Sequence, residues 1–400
     1  MAERFVGRPE IVARFLDLRR EGALGQSYLF AGPEGSGKEL SALEIARLIN
    51  CRQPEVCAET PSCESCAKAV SFQHPDIRWI CPAPASITDG DVSDLLSRKR
   101  EDPFHQPAFV ASSEVLIGDP DRPGAFTVRS LLQFLRVRPF QGRLKTAIVS
   151  DAHRLRSGAA NAFLKMLEEP PPDTLIVLLT SLRGGLLPTI QSRCQVVNFD
   201  PFAEDDLSAM LGTLYDMSPV EASNFARAAG GNARQAAAYR LPLARAMRAW
   251  AAQILHSLAD GREGAAQVAA DQVHKGIIPD ALVKTTESAA GGRAKIGQAK
   301  ELIEKRERAI RLCETLLLYY SDTMGCATRG ADWRPRLADD ETLVRDLASR
   351  RTPAGLLYDI EAVEKARTGI DRNLNIGLVM AVLFQELSHA FQKDRAASGA

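Results

Sequence analysis

The chain reads as an α/β P-loop core with a parallel sheet, followed by an all-helical C-terminal part. Three observations carry that reading. Short apolar runs alternate with amphipathic helical stretches through residues 1–200, the pattern of strands covered by helices. One such run, Ser27–Ala31, leads straight into Gly32-Pro-Glu-Gly-Ser-Gly-Lys38, which opens a helix. From Glu204 onward strand signals stop, and Ala- and Leu-rich helical periodicity takes over.

In chain order, Pro9–Glu21 is expected as an amphipathic helix, Ser27–Ala31 as a strand and Glu39–Asn50 as a helix. Thr146–Ser150 reads as a buried strand, Ala159–Glu168 as a helix, and Leu175–Thr180 and Gln195–Phe199 as strands. Residues 83–125 break this rhythm. They are polar and rich in Pro and Asp, with one helix-like piece (Asp91–Arg100) and one strand-like piece (Val115–Ile117), and are expected as a surface insertion. Helices follow at Ala203–Leu214, Val220–Ala229, Ala233–Tyr239 and Leu243–Ala259, then on to Phe391, with Asp394–Ala400 frayed. The expected boundaries are 1–202 for the core, including a cysteine module at 51–66 and the insertion at 83–125, 203–242 for a small helical lid, 243–393 for a helical domain and 394–400 for a tail.

Composition limits the function classes. Of 400 residues, 50 are Lys or Arg and 50 are Asp or Glu, so the net charge is +0. That argues against a polybasic nucleic-acid binder and against an acidic tail protein. Hydrophobic residues at 45% and charged residues at 25% are ordinary globular values. The best apolar runs, Leu175–Leu179 and Ile376–Phe384, fall well short of the roughly 20 residues of a spanning helix. The N-terminal Met-Ala-Glu-Arg-Phe lacks an apolar secretory core. A cytoplasmic protein with no membrane association is expected. Gly291–Arg311 carries seven basic and three acidic residues at helical spacing, a local charge that suits a DNA-facing or a merely solvated helix.

The loop chemistry is that of phosphate binding. Gly32, Gly35 and Gly37 let backbone amides turn onto phosphate oxygens, the helix N-terminus adds positive potential, and Lys38 would reach the outer phosphates. The next position should be Ser or Thr to hold Mg²⁺; here it is Glu39, so the motif is degenerate and bound ATP or ADP is open. Ala147-Ile-Val-Ser-Asp151 is an apolar strand ending in a carboxylate that could hold magnesium through water. The residue after it, where a hydrolysing ATPase has a Glu base, is Ala152. His153 is a weak substitute. Two independent defects, Glu39 and Ala152, point to a fold kept with its own catalysis weakened or lost.

Four thiols, Cys51, Cys57, Cys63 and Cys66, lie within sixteen residues and suit one closed tetrahedral zinc of structural role. A three-cysteine site, free thiols, or Cys81 in place of Cys57 stay open. Cys313 and Cys326 read as helix-packing residues.

Asn161-Ala-Phe-Leu-Lys-Met-Leu-Glu-Glu-Pro-Pro171, Ser192-Arg-Cys194 and His74-Pro-Asp76 resemble, in order, the motifs of the AAA+ clamp-loader subunits of bacterial DNA polymerase III. Ile370-Asp-Arg-Asn-Leu-Asn-Ile376 with the apolar Gly377–Leu387 resembles the last helix of that family's oligomerisation domain, the collar. The resemblance implies a non-motor subunit that supports ATP-dependent loading of the sliding clamp onto primed DNA, as part of the DNA-directed DNA polymerase holoenzyme. Its partners would be the tau/gamma motor subunits and delta. Arg193 would be an arginine finger delivered in trans to a neighbour's ATP. Thr180 and Arg234 fall where the family's two sensor residues lie. The family's zinc module occupies 51–66, but its register places a ligand at Thr60, and Cys57 stands three residues early. An active motor subunit of the same machine and a zinc-dependent nucleic-acid-binding regulator are the competing functions.

Overall fold

The computed structural model describes residues 7–107, 109–275, 298–336, 340–372 and 374–398. Contacts divide the chain into two compact units, residues 1–235 and 236–400.

In the first unit, five described strands form one all-parallel sheet: β1 (Ser27–Ala31), β2 (Ile77–Ile80), β3 (Lys145–Val149), β4 (Thr174–Thr180) and β5 (Gln195–Asn198), ordered β2-β3-β4-β1-β5. Strands β1, β3 and β4 are buried along their whole length. This is why they read as continuous apolar runs, as expected for a sheet covered on both faces. Helices α1 (Pro9–Arg20), α2 (Lys38–Ile49), α3 (Pro54–Cys57), α4 (Glu64–Val70), α5 (Asp89–Glu101), α6 (Phe109–Ser112), α7 (Val128–Leu135), α8 (Ser157–Glu168) and α9 (Pro188–Gln191) surround it. Phe15 of α1 packs on Tyr28 and Phe30 of β1, with ring centroids 4.6 and 5.6 Å apart. Beyond the sheet, α10 (Glu204–Tyr215), α11 (Pro219–Ala229) and the start of α12 (Ala233–Tyr239) close the unit. The expected fold class is the one observed.

Strand β2 follows His74-Pro-Asp76, and that tripeptide is a latch. The Asp76 carboxylate accepts backbone N–H bonds from Phe140, Gln141 and Gly142 at 2.8, 2.7 and 2.6 Å and pairs with Lys145 Nζ at 2.8 Å. Both ionic groups are buried. His74 Nδ1 accepts from the Asp76 amide at 3.0 Å, and its Nε2 shares a 3.0 Å bond with Ser65 of α4. The latch therefore fixes the edge strand, the turn before β3 and helix α4 together.

Residues 83–125 differ from the surface insertion expected. Helix α5 is capped by reciprocal Thr88–Asp91 bonds, and it buries Leu95 and Lys99; Val110 and Val115 are buried behind it. The strand expected at Val115–Ile117 forms only single bridges, Val115 to Leu155 and Leu116 to Thr127.

Among the described residues the second unit is all helical. After Pro242–Ala259 and Ala265–Lys275, the helix Gln298–Arg329 packs along Pro353–Asp371, with Glu341–Arg350 and Ile376–Ser398 completing it. Arg351 forms a buried bidentate pair with Asp359 (2.7 Å) and also holds Asp394 (2.5 Å). The helix Ile376–Ser398 continues past Asp394, which Arg351 holds, and residues 399–400 of the tail expected at 394–400 lie outside the described residues. Of the basic stretch 291–311, residues 291–297 lie outside the described residues.

Asp76→Asn breaks a buried ion pair and is expected to lower stability by about 3 kcal/mol. Although burial opposes ionisation, Lys145 and the three amides hold the Asp76 carboxyl down at about 2. Its stabilisation is therefore present above the ordinary carboxylate range and is lost as pH falls through about 4 toward 2. Urea unfolding of both proteins from pH 6 to pH 2 should show the difference between them shrinking over that interval.

Candidate functional site

The sheet order places β1 between β4 and β5, so the loop after β1 leaves at the carboxyl ends of the strands where connections diverge. The register pairs Ala31 with Thr180, and the Gly32 amide donates to the Thr180 carbonyl at 3.2 Å. Gly35 and Gly37 have φ of +68° and +86°, which side chains disfavour. A Cβ on Gly35 would also strike Asn232. The loop is further held by Arg8, missed in the sequence. Arg8 stacks on Phe202 at 3.8 Å and donates to the Ser36 carbonyl at 3.2 Å.

The side chains around this loop are turned toward one another. Lys38 Nζ folds back onto the Gly32 and Pro33 carbonyls at 2.7 and 2.6 Å and onto Ser36 Oγ at 3.2 Å. Burial, then the field of Arg234, push the Lys38 ammonium down to about 8. Glu39 pairs with Lys99 of α5 and accepts from Ser150 Oγ at 2.6 Å. Burial opposes its charge, but Lys99 and Ser150 hold Glu39 below the usual carboxylate range. Asp151 has φ of +48°, and burial raises its pKa. Thr180 Oγ1 shares a 3.2 Å bond with His153 Nδ1 and accepts from the Leu182 amide. Arg234 donates to Gln106 and lies 3.9 Å from Glu34. The structure thus brings Lys38, Glu39, Asp151 and Arg234 to one recess, lined also by Lys99, Pro103, Phe104 and Ser150. Its open volume is about 60 Å³, above the ~10–15 Å³ needed to admit one water. A magnesium–triphosphate group does not fit this donor set as it stands. The metal-side oxygen donor is engaged by a lysine, and Lys38 caps its own loop.

Arg193 lies apart from that recess, after α9. Its guanidinium donates to the Thr189 carbonyl at 2.9 Å and pairs with Glu168 at 2.7 Å, yet stays 34% exposed. Exposed Leu182, Leu187 and Val196 share this region of the chain. Cys194 beside it is buried.

The cysteine module closes as four ligands. The sulfurs of Cys51, Cys57, Cys63 and Cys66 lie within 4.8 Å of one another, and Cys51 and Cys63 are 3.7 Å apart. Zn–S bonds of about 2.3 Å in a tetrahedron put sulfurs about 3.8 Å apart. Backbone amides of Gln53 and Cys66 donate to Cys51 and Cys63 sulfurs at 3.3 and 3.4 Å, the support that thiolate ligands use. The short turn α3 makes up for the early position of Cys57. Buried Arg47, paired with Glu44 at 2.6 Å, holds the Cys57 carbonyl at 2.7 Å. These residues can hold a metal ion; Thr60 and Cys81 are not among the clustered ligands.

A family model described as "DNA polymerase III, delta subunit" matches residues 7–117 and 123–203. It runs through most of 83–125 and omits only 118–122, so that stretch is largely shared with the family and is not the departure expected. The chain is 28% identical over 196 residues to DNA polymerase III subunit delta' of Bacillus subtilis, 48% of each chain. It is 29% identical over 170 residues to subunit delta' of Pseudomonas aeruginosa, 42% of this chain and 41% of that one. It is also 26% identical over 239 residues to subunit tau of Bacillus subtilis, 58% of this chain and 36% of that one. The chain spans about half or less of the length of these curated relatives.

Full-length protein is expected to carry one equivalent of zinc by elemental analysis. Cys57→Ser should lose most of it and lower the unfolding temperature, whereas Thr60→Ala should change neither. Retention of zinc by Cys57→Ser would exclude the four-thiolate site.

Proposed function

From the resemblance to the delta-prime subunit of the DNA polymerase III clamp loader, we propose that this chain is a non-motor member of that assembly. In this reading it supports ATP-dependent placement of the sliding clamp on primed DNA and hydrolyses no ATP itself. The observation that carries it is the state of its own phosphate loop. The residue that should hold magnesium is a carboxylate already paired with Lys99. Ala152 stands where the base should be, and Thr180, at the sensor position, is bonded to His153. The likeness to subunit tau, a motor subunit by the resemblance, is compatible with shared ancestry but not with this set of residues doing hydrolysis.

Arg193 acts on a neighbour. Thr189 and Glu168 orient its guanidinium without burying it, the state a finger needs before it meets a phosphoryl group across an interface. Exposed apolar side chains in the same segment suit contact with another subunit. The second unit supplies the collar. Leu378 and Val382, four residues apart on Ile376–Ser398, are exposed, Leu378 at 67%; Leu374, just before that helix, is exposed too, as are Leu357 and Tyr358 on Pro353–Asp371. Such a stripe fits helix-to-helix assembly with other subunits. The four cysteines hold a structural zinc that shapes the segment between α2 and β2.

Arg193→Ala is expected to leave assembly with the motor and delta subunits intact. Hydrolysis at the one neighbouring site should fall by about three orders of magnitude, so the complex loses that site's share of its steady-state rate. An unchanged rate removes the finger role.

A further inference from the structure

In a working P-loop site a hydroxyl after the lysine, with a carboxylate acting through water, holds the divalent cation against the phosphates. Here that position is Glu39, and a cation already lies on it. The last turn of α5 delivers Lys99, which is 4% exposed, pairs with Glu39, donates to the Pro103 carbonyl at 3.4 Å and lies 4.8 Å from the Trp79 ring centre. Trp79 in turn donates to Ser150 Oγ at 2.9 Å, and Ser150 donates to the other Glu39 oxygen. A second link crosses the recess, Gln106 accepting from Arg234. The segment between is ordered by Asp102, which accepts from the Phe104 amide at 3.1 Å and from Tyr215 Oη at 2.8 Å. Pro103 and Phe104 line the recess beside Lys99.

We infer that Lys99, delivered by the last turn of α5, is a tethered internal cation in the metal subsite of the phosphate loop, standing where magnesium would. This deepens the reading of a silent nucleotide site and rests on it. The charges define what each partner does. With Lys99 in place the Glu39 carboxylate is neutralised and the site is shut. With Glu39 removed, the Lys99 ammonium faces the position of the phosphates and can neutralise them without metal. With both removed and a hydroxyl at 39, the hydroxyl and Asp151 are again the donors for a divalent cation.

The test is calorimetric titration of the full chain with ATP, once with Mg²⁺ and once with EDTA, each variant checked by thermal unfolding. The native chain should bind in neither buffer. Glu39→Thr should bind ATP with affinities that agree within about twofold between buffers. Glu39→Thr combined with Lys99→Ala should bind at least about tenfold more weakly in EDTA. If Glu39→Thr unfolds early, Glu39→Gln, which keeps the side-chain shape, carries the same expectation. Binding of Mg–ATP by the native chain overturns the inference. So does absence of binding by folded variants, or a metal dependence in the single variant equal to that of the double. The finger role of Arg193 is read from hydrolysis by the complex, so the two readings fail separately.

Discussion

The ion pair between Glu39 and Lys99 is the contact on which the front of the sheet depends. It joins the first residue after the phosphate-loop lysine to a helix sixty positions later, and through Ser150 and Trp79 it is tied to the ends of β2 and β3. Breaking one side of a buried pair leaves an uncompensated charge, at a cost of several kcal/mol. In the proposed reading this charge arrangement stands where magnesium nucleotide would otherwise bind. Lys38 turned onto its own carbonyls is the same adaptation on the other side of the loop.

A second frame stands behind the first. Asp76 gathers three amides and Lys145, His74 reaches back to Ser65, and Asn50 at the end of α2 accepts from the Arg143 and Leu144 amides at 2.8 and 2.9 Å. These bonds tie the cysteine module to the sheet edge. A metal held there would stiffen the chain between the phosphate loop and β2, consistent with a role in positioning rather than chemistry.

Much of the fold was legible in the sequence because burial on both faces leaves a plain apolar signature. Ser27–Ala31 coincides with β1, and β3, β4 and β5 begin or end within a residue of expectation. Strand β2 was not legible: Ile-Arg-Trp-Ile is four residues long with a charge inside it. Helix α7, which Thr127 caps by accepting from the Ser130 amide, was not among the expected elements. The loop glycines, Lys38 and the four thiols were readable from spacing, since their chemistry is local. The partners Lys99, Gln106 and Ser150 were not. An ion pair across sixty residues is chosen by tertiary packing, and in sequence Lys99 is one of three consecutive basic residues at a helix end, ordinarily a solvated feature.

The two units divide the work in the proposed reading: the first carries a sealed site and an exposed arginine, the second an apolar stripe for assembly. A subunit of this kind contributes to an ATP-driven machine through what it presents to neighbours. The most direct measurement is the number of nucleotides retained per assembled complex, with this chain and its motor and delta partners saturated with a non-hydrolysable ATP analogue. The account predicts one nucleotide for each motor subunit and none for this chain. An additional equivalent that disappears when this chain carries Lys38→Ala would contradict it.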